Sequence, residues 1–387
     1  MSLISEISVM DDIFSMEKNI EEKTGIHITN VSHWDSSIAF KEHMNKVLLL
    51  PPSSLPWDYY YTYSFSIEDR YKVLKKLGVQ SKYLKSTAGV LYQSSTIAIV
   101  NMINFLVNHN RKKLCILQPS YFSVSSCCSM LSLEYNTEQI MFVEGTPKIP
   151  VEKILKGGYD CIWITSPIYG TSHYYDETQL KDIAHLKKSG LMIIFDESLA
   201  LPGYELLRFF PIDKNTFAIY SPHKSISING LKFAVMVCNE VYEEFLDQWV
   251  DVFSGAFACS NRDAVLHYIS PNFLKMCFPA YKAYINKTEA AVAEVIRQFP
   301  FATILPNSNG HYINIFIDLK LQDSDELFNL ITSLAHECFT SFIPGTLSGF
   351  DKTQNLCFRV NLTGDINDLP YAVGRILMYL KNNYYLK

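Results

Sequence analysis

The sequence predicts an α/β protein, with a large domain built on a mixed, mostly parallel doubly wound sheet and a small α+β domain after it. Three observations lead there. From Val90 onward, short apolar runs alternate with segments of helical spacing: Leu114 to Leu117, Ile140 to Val143, Cys161 to Thr165, Leu191 to Phe195, Phe217 to Tyr220 and Ala234 to Val237. After Phe278 the order changes to a helix over Ala280 to Gln298, strands at Tyr312 to Ile317 and Cys357 to Leu362, and helices at Asp323 to Glu337 and Asn367 to Lys381. Polar residues follow several of the early strands, where an open parallel sheet gathers its ligands.

Composition narrows the function. The chain has 387 residues, 48% hydrophobic and 19% charged, enough to bury one large or two medium cores. A net charge of −5 and the lack of any Lys/Arg-rich run argue against nucleic acid or an anionic membrane as partner, and favour a small metabolite. The opening residues (MSLISEISVMDDIFSMEKNIEEKTG) carry acids where a signal peptide needs bases, and nowhere do eighteen apolar residues run together. A soluble, cytoplasmic protein is expected. The nine cysteines form no C-x-x-C pair and read as reduced packing thiols.

In chain order, residues 1 to 50 read as helix, short strand and helix, ended by the breaker cluster Leu50-Pro51-Pro52-Ser53-Ser54, a plausible hinge. A tyrosine-rich stretch from Trp57 to Tyr63 follows, then a helix over Ile67 to Leu77 closed by Gly78. Gln93-Ser94-Ser95-Thr96 puts three hydroxyl residues at the start of the next helix, where backbone N–H groups favour a phosphate and where an ordinary N-cap would look the same. Later strands are followed by Gln118-Pro119-Ser120-Tyr121, by Ser166-Pro167-Ile168-Tyr169-Gly170-Thr171-Ser172, and by the acidic pair Asp196-Glu197. Lys224 lies just after the strand ending at Tyr220, crowded by small hydroxyl residues. Burial there would favour its neutral, nucleophilic amine.

The order and spacing of these features resemble the fold type I pyridoxal-phosphate enzymes, most closely the aspartate aminotransferase family, over roughly residues 55 to 385. The resemblance implies that residues 1–52 join the small domain, that 53–277 form the cofactor-binding domain and that 278–387 form the small C-terminal domain. In S-x-x-K-x-x-x-x-x-G-L-R, Ser221, Lys224, Gly230 and Leu231 fall into register, and Lys224 matches the lysine of the internal aldimine. Lys232 stands in place of the phosphate-binding arginine, keeping the charge without the planar fork. Asp196 matches the partner of the pyridine nitrogen, Tyr121 the aromatic that stacks on the ring, and Ser94, Ser95 and Thr96 the phosphate cup. Arg359 in Phe358-Arg359-Val360-Asn361 matches the arginine that grips the substrate carboxylate. Tyr61 matches a tyrosine that crosses a homodimer interface to the partner's phosphate, near which the segment Ser254 to Ser260 also falls.

The departures lie around the cofactor's phenolic oxygen, where Tyr169 replaces an asparagine and Leu199 a tyrosine. The resemblance implies transamination between an α-amino acid and a 2-oxo acid. β-Elimination, decarboxylation or cyclisation share its first steps, and a cofactor-binding module without turnover stays open. Arg262 could meet an acidic or polar substrate side chain, or form a surface ion pair.

Overall fold

In the computed structural model the described residues are 3–32, 36–45, 67–77, 79–143, 145–225, 232–253, 267, 271–305, 310–321, 324–350 and 355–385. The proposed hinge at 50–54, the 57–63 tyrosine stretch with Tyr61, Gly230 and Leu231, the segment 254–260, and Arg262 fall outside them. The chain divides into two compact units, one of Met1–Lys46, Gly170–Ser172 and Ala280–Lys387, the other of Val47–Tyr169 and His173–Pro279.

The second unit is built on a seven-stranded sheet. Its strands are β1 (Thr87–Tyr92), β2 (Lys113–Gln118), β3 (Glu134–Gln139), β4 (Cys161–Thr165), β5 (Met192–Glu197), β6 (Thr216–Tyr220) and β7 (Ala234–Asn239), in the spatial order β1-β7-β6-β5-β4-β2-β3. The run from β6 to β3 is parallel throughout, while β7 is antiparallel to both β6 and β1. Strands β4, β5 and β6 are buried at every position, as parallel strands covered on both faces must be. Trp163, Ile194, Phe217 and Met236 from the sheet pack with Ile99, Met102, Ile103 and Leu106 of the helix Ser95–Asn108 in one apolar core.

The edge strand differs from expectation. The apolar run Ile140 to Val143 is not a strand of this sheet, because Met141–Val143 pairs with Thr146–Lys148 in a separate two-stranded hairpin. The sheet's edge is instead the polar β3, with Glu134, Asn136 and Thr137 exposed. An edge strand has solvent on one side and needs no continuous apolar sequence. Its one buried carboxylate, Glu138, is held by Lys153 at 2.7 Å and by the Tyr159 hydroxyl at 2.9 Å.

The first unit holds a three-stranded antiparallel sheet, β8 (Ala302–Ile304), β9 (Tyr312–Ile317) and β10 (Cys357–Asn361), in that order. The helices Ser324–Cys338 and Asp368–Leu380 agree with the sequence reading to about a residue at each end. The long helix runs from Pro271 to Ile296, starting nine residues before the expected Ala280, with Pro279 inside it. A proline inside a helix removes only one backbone donor, and the surrounding turns carry the helix through.

The sheet's centre and edge should respond differently to truncation. Ile194→Ala, at a fully buried site in β5, is expected to cost about 2–5 kcal/mol in urea unfolding. Thr137→Ala, on the exposed edge, should stay within about 0.5 kcal/mol.

Candidate active site

Pairing register brings the ends of distant strands level. In β7, Ala234 pairs with Tyr92 at the end of β1 and the next residue, Val235, pairs with Tyr220 at the end of β6. Glu197 pairs with Tyr220, and Asp196 with Thr165 at the end of β4. The residues after these strands therefore share one edge of the sheet, whatever their separation in sequence.

Lys224 sits in a single helical turn, Pro222–Ser225, closed by its own N–H donating to the Ser221 carbonyl at 2.8 Å. Its Nζ donates to Ser95 Oγ at 2.7 Å and lies 5.7 Å from the centre of the Tyr121 ring. Burial holds the amine below the ordinary lysine value; the Asp196 carboxylate opposes that shift, and Lys232 adds to it. Ser95 opens the helix Ser95–Asn108, whose N-cap is Ser94, its Oγ accepting from the Ile97 N–H at 3.3 Å. Ser94 thus serves the helix itself, and Thr96 is half-buried in the same first turn.

Asp196 is 3% exposed. Burial raises its carboxyl, and this is resisted by the Ser198 side chain and N–H, both donating to Oδ1 at 2.6 and 3.2 Å, by Lys224, and by Trp163. Successive strand residues face opposite sides, so Glu197 belongs to a different environment. Its Oε1 accepts from the Leu206 N–H at 2.6 Å. Burial pushes its carboxyl up to about 8, against the Tyr220 hydroxyl and the Leu206 N–H, with Glu205 and Asp196 adding to the rise. His223, buried beside Lys224, is pushed down to about 3 by burial and by that cation, so it is neutral, its Nδ1 accepting from the Phe233 N–H at 3.4 Å.

Tyr121 stands at the N-terminus of the helix Phe122–Met130, 5.9 Å ring to ring from the buried Tyr169. Ser221 is buried, and its Oγ, like that of Ser166, has no hydrogen-bond partner among the described residues. Lys232 is exposed and Leu199 half-buried. The structure thus gathers Lys224, Ser95, Asp196 and Tyr121 around one amine, with Tyr169 against Tyr121. Arg359 lies in the other unit, on β10, where its Nε and Nη2 donate to the Ser32 carbonyl at 3.3 Å each and its guanidinium lies over the Tyr312 ring. Ser198, Trp163 and His223 escaped the sequence reading. The D-x-S spacing of Asp196 and Ser198, an Asx-type turn, was a usable signal for the first; an apolar strand residue such as Trp163 carries none.

In sequence, no family model and no curated protein matches the chain. In structure, many solved chains do. A Pyrococcus horikoshii kynurenine aminotransferase superposes with a TM-score of 0.76 at 13% identity, covering 96% of this chain and 95% of that one. The alanine aminotransferase of Pyrococcus furiosus gives 0.73 at 16%, covering 96% of both. An Escherichia coli protein described by a methionine aminotransferase function gives 0.73 at 12%, covering 95% of this chain and 97% of that one. The chain has the fold of these aminotransferases. Pyridoxal phosphate asks for an amine, an acid, an aromatic face and donors for a phosphate, and the residues on this edge of the aminotransferase-like sheet fit it. Lys224, Asp196 and Tyr121 would answer the first three, and the Ser221 hydroxyl, which has no hydrogen-bond partner among the described residues, is a candidate donor for the fourth.

Glu197 gives this edge a pH signature. Between its ordinary value and about 8 the folded protein holds a proton that the unfolded chain has released, so this group's contribution to stability falls as pH rises through that window. Glu197→Gln is neutral throughout, and its stability relative to wild type should increase from about pH 5 to about pH 8 in denaturant titrations. A constant difference would mean that the carboxyl is ionised across the range.

Proposed function

We propose that this chain is a pyridoxal-phosphate-dependent aminotransferase acting on an α-amino acid and a 2-oxo acid. The carrying observation is Lys224: an amine held below its ordinary basicity by burial, bonded to Ser95, over the Tyr121 ring and within the field of Asp196. Pyridoxal phosphate, when bound, supplies an electron sink for the bond broken at the substrate's α-carbon.

The chain's own residues take the remaining tasks in this reading. Asp196, oriented by Ser198, holds a proton on the pyridine nitrogen. Tyr121, whose ring centre lies 5.7 Å from Lys224 Nζ, would supply an aromatic surface for the cofactor and exclude water there. Ser94, Ser95, Thr96, Ser221, Lys232 and the partner subunit's copy of Tyr61 serve the phosphate, with Lys232 a point charge where a fork would bind two oxygens. Lys224, neutral at lower pH than a free lysine, would hold the cofactor and would move a proton at the substrate's α-carbon. Tyr169 offers a hydroxyl to the phenolic oxygen, where Leu199 offers nothing. Arg359, already oriented by the Ser32 carbonyl and the Tyr312 ring, binds the α-carboxylate.

A homodimer in the cytoplasm belongs to the same reading. The fold neighbours named for methionine, alanine and kynurenine support amino transfer without choosing among side chains.

Loading the protein with pyridoxal phosphate, reducing with borohydride and mapping peptides should label Lys224. The pH midpoint of loading should lie below the ordinary lysine value, move up in Lys232→Met, which removes a repelling cation, and move down in Asp196→Asn, which removes a stabilising anion. A label on another lysine would overturn the assignment. Arg359→Ala should keep the label and lose about 30-fold to several thousand-fold in kcat/KM for amino acids, the consequence of removing about 2–5 kcal/mol from a desolvated charge pair. Normal turnover in that variant would mean that the carboxylate is held elsewhere.

A further inference from the structure

The small sheet of the first unit has one polar face. Strand residues alternate sides, so Tyr312, Asn314 and Phe316 of β9 share a face with Cys357, Arg359 and Asn361 of β10, while Ile313, Ile315, Ile317, Phe358 and Val360 form the other, wholly apolar side. Asn314 pairs directly with Arg359. Both are buried, Asn314 to 2% exposure and Arg359 to 4%.

The two asparagines on this face differ. Asn361 is committed to the fold, its Oδ1 accepting from the N–H and the hydroxyl of Thr363 at 3.0 and 2.8 Å. Asn314 has no hydrogen-bond partner for either its Nδ2 or its Oδ1 among the described residues. Leaving a buried donor and acceptor both unpaired destabilises a fold, and native proteins do so rarely without a use for the group. Gly170, the residue after Tyr169, lies against this amide: a Cβ built there would stand 3.9 Å from Asn314 Nδ2.

Arg359 makes no hydrogen bond to the Asn314 amide. Its guanidinium is drawn to the Ser32 carbonyl and over the Tyr312 ring, 5.0 Å from the ring centre. Tyr312 is one pleat, two residues, along β9 from Asn314, so the guanidinium over the Tyr312 ring and the Asn314 amide belong to neighbouring positions on one face of the sheet.

Resting on the proposed carboxylate-binding role of Arg359, we infer that Asn314 is a specificity-determining residue that reads a neutral side-chain group able both to donate and to accept hydrogen bonds, an amide or a hydroxyl. A carboxamide offers one donor edge and one acceptor edge, and an amide or hydroxyl ligand answers both. An aliphatic side chain would leave both unpaired, and sites built to hydrogen-bond a substrate group discriminate strongly against analogues that lack it.

The test uses cofactor-loaded, borohydride-reduced protein, which binds without turning over, and calorimetric titration with L-glutamine and L-methionine, similar in length but differing in polarity. Wild type should prefer glutamine, and Asn314→Leu should reduce the glutamine-to-methionine affinity ratio by about 5- to 150-fold. The same variant should melt higher than wild type, since it replaces two unpaired polar groups with apolar surface. An unchanged ratio, or a lower melting temperature with the ratio kept, would overturn the inference and leave the amide serving a buried water. Arg359→Ala separates the two readings, because it should weaken both ligands alike. If it weakens neither, the carboxylate reading fails. If it weakens both while Asn314→Leu changes no ratio, only the assignment of Asn314 fails.

Discussion

An ionised group at the end of a buried strand loses its hydration, and the larger unit is arranged around limiting that loss for Asp196 and Lys224. Burial pushes each towards its neutral form, the acid upward and the amine downward, and each favours the charged form of the other. Ser198 adds two hydrogen bonds to the acid, and Ser95 accepts one from the amine. Neither group keeps the ordinary protonation behaviour of its side chain in water, the acid being raised and the amine lowered. Lys232 tilts the balance further towards a neutral amine without itself being buried.

That arrangement depends on register more than on proximity in sequence. Ser95 and Lys224 are 129 residues apart and meet because β7 pairs with β1 and β6 at adjacent positions. Slipping β7 by one residue would turn its alternating side chains to the wrong faces, and all six of its residues are buried or half-buried. The packing that fixes the register, through Met236, Phe217 and Ile194, is therefore what holds the chemistry at the edge.

What could be read from sequence follows from the same physics. Strands β4, β5 and β6 are covered on both faces, so their apolar runs stand out, and Asp196 and Lys224 were conspicuous as polar residues directly after such runs. β3 has few apolar residues to betray it, because solvent lies along its outer side, and the eye goes instead to the more hydrophobic Ile140 to Val143. Pro279 hid the first turns of a long helix for a local reason that the tertiary structure overrides. Arg359 was legible only through the resemblance. Trp163 was legible by no route, since its neighbourhood with Asp196 depends on which residues pair across β4 and β5.

Polar burial in this protein comes in two kinds, and the difference separates the fold's needs from a ligand's. Asn361 with Thr363, and Glu138 with Lys153 and Tyr159, are closed sets, each buried group answered by its own chain. Removing such a partner leaves a stranded group and costs stability. Ser166, Ser221 and Asn314 are open sets, buried hydroxyl or amide groups that nothing among the described residues answers. A chain shaped by stability alone would replace them with apolar residues of similar size, since that exchange is nearly neutral or favourable. Ser166 and Ser221 follow β4 and β6 on the edge that carries Lys224, and Asn314 stands opposite Arg359. These three therefore stand beside residues to which a cofactor and a carboxylate are assigned, where a bound molecule would complete hydrogen bonds that the described residues leave unmade, while others such as Asn101 and Thr340 lie elsewhere in the fold.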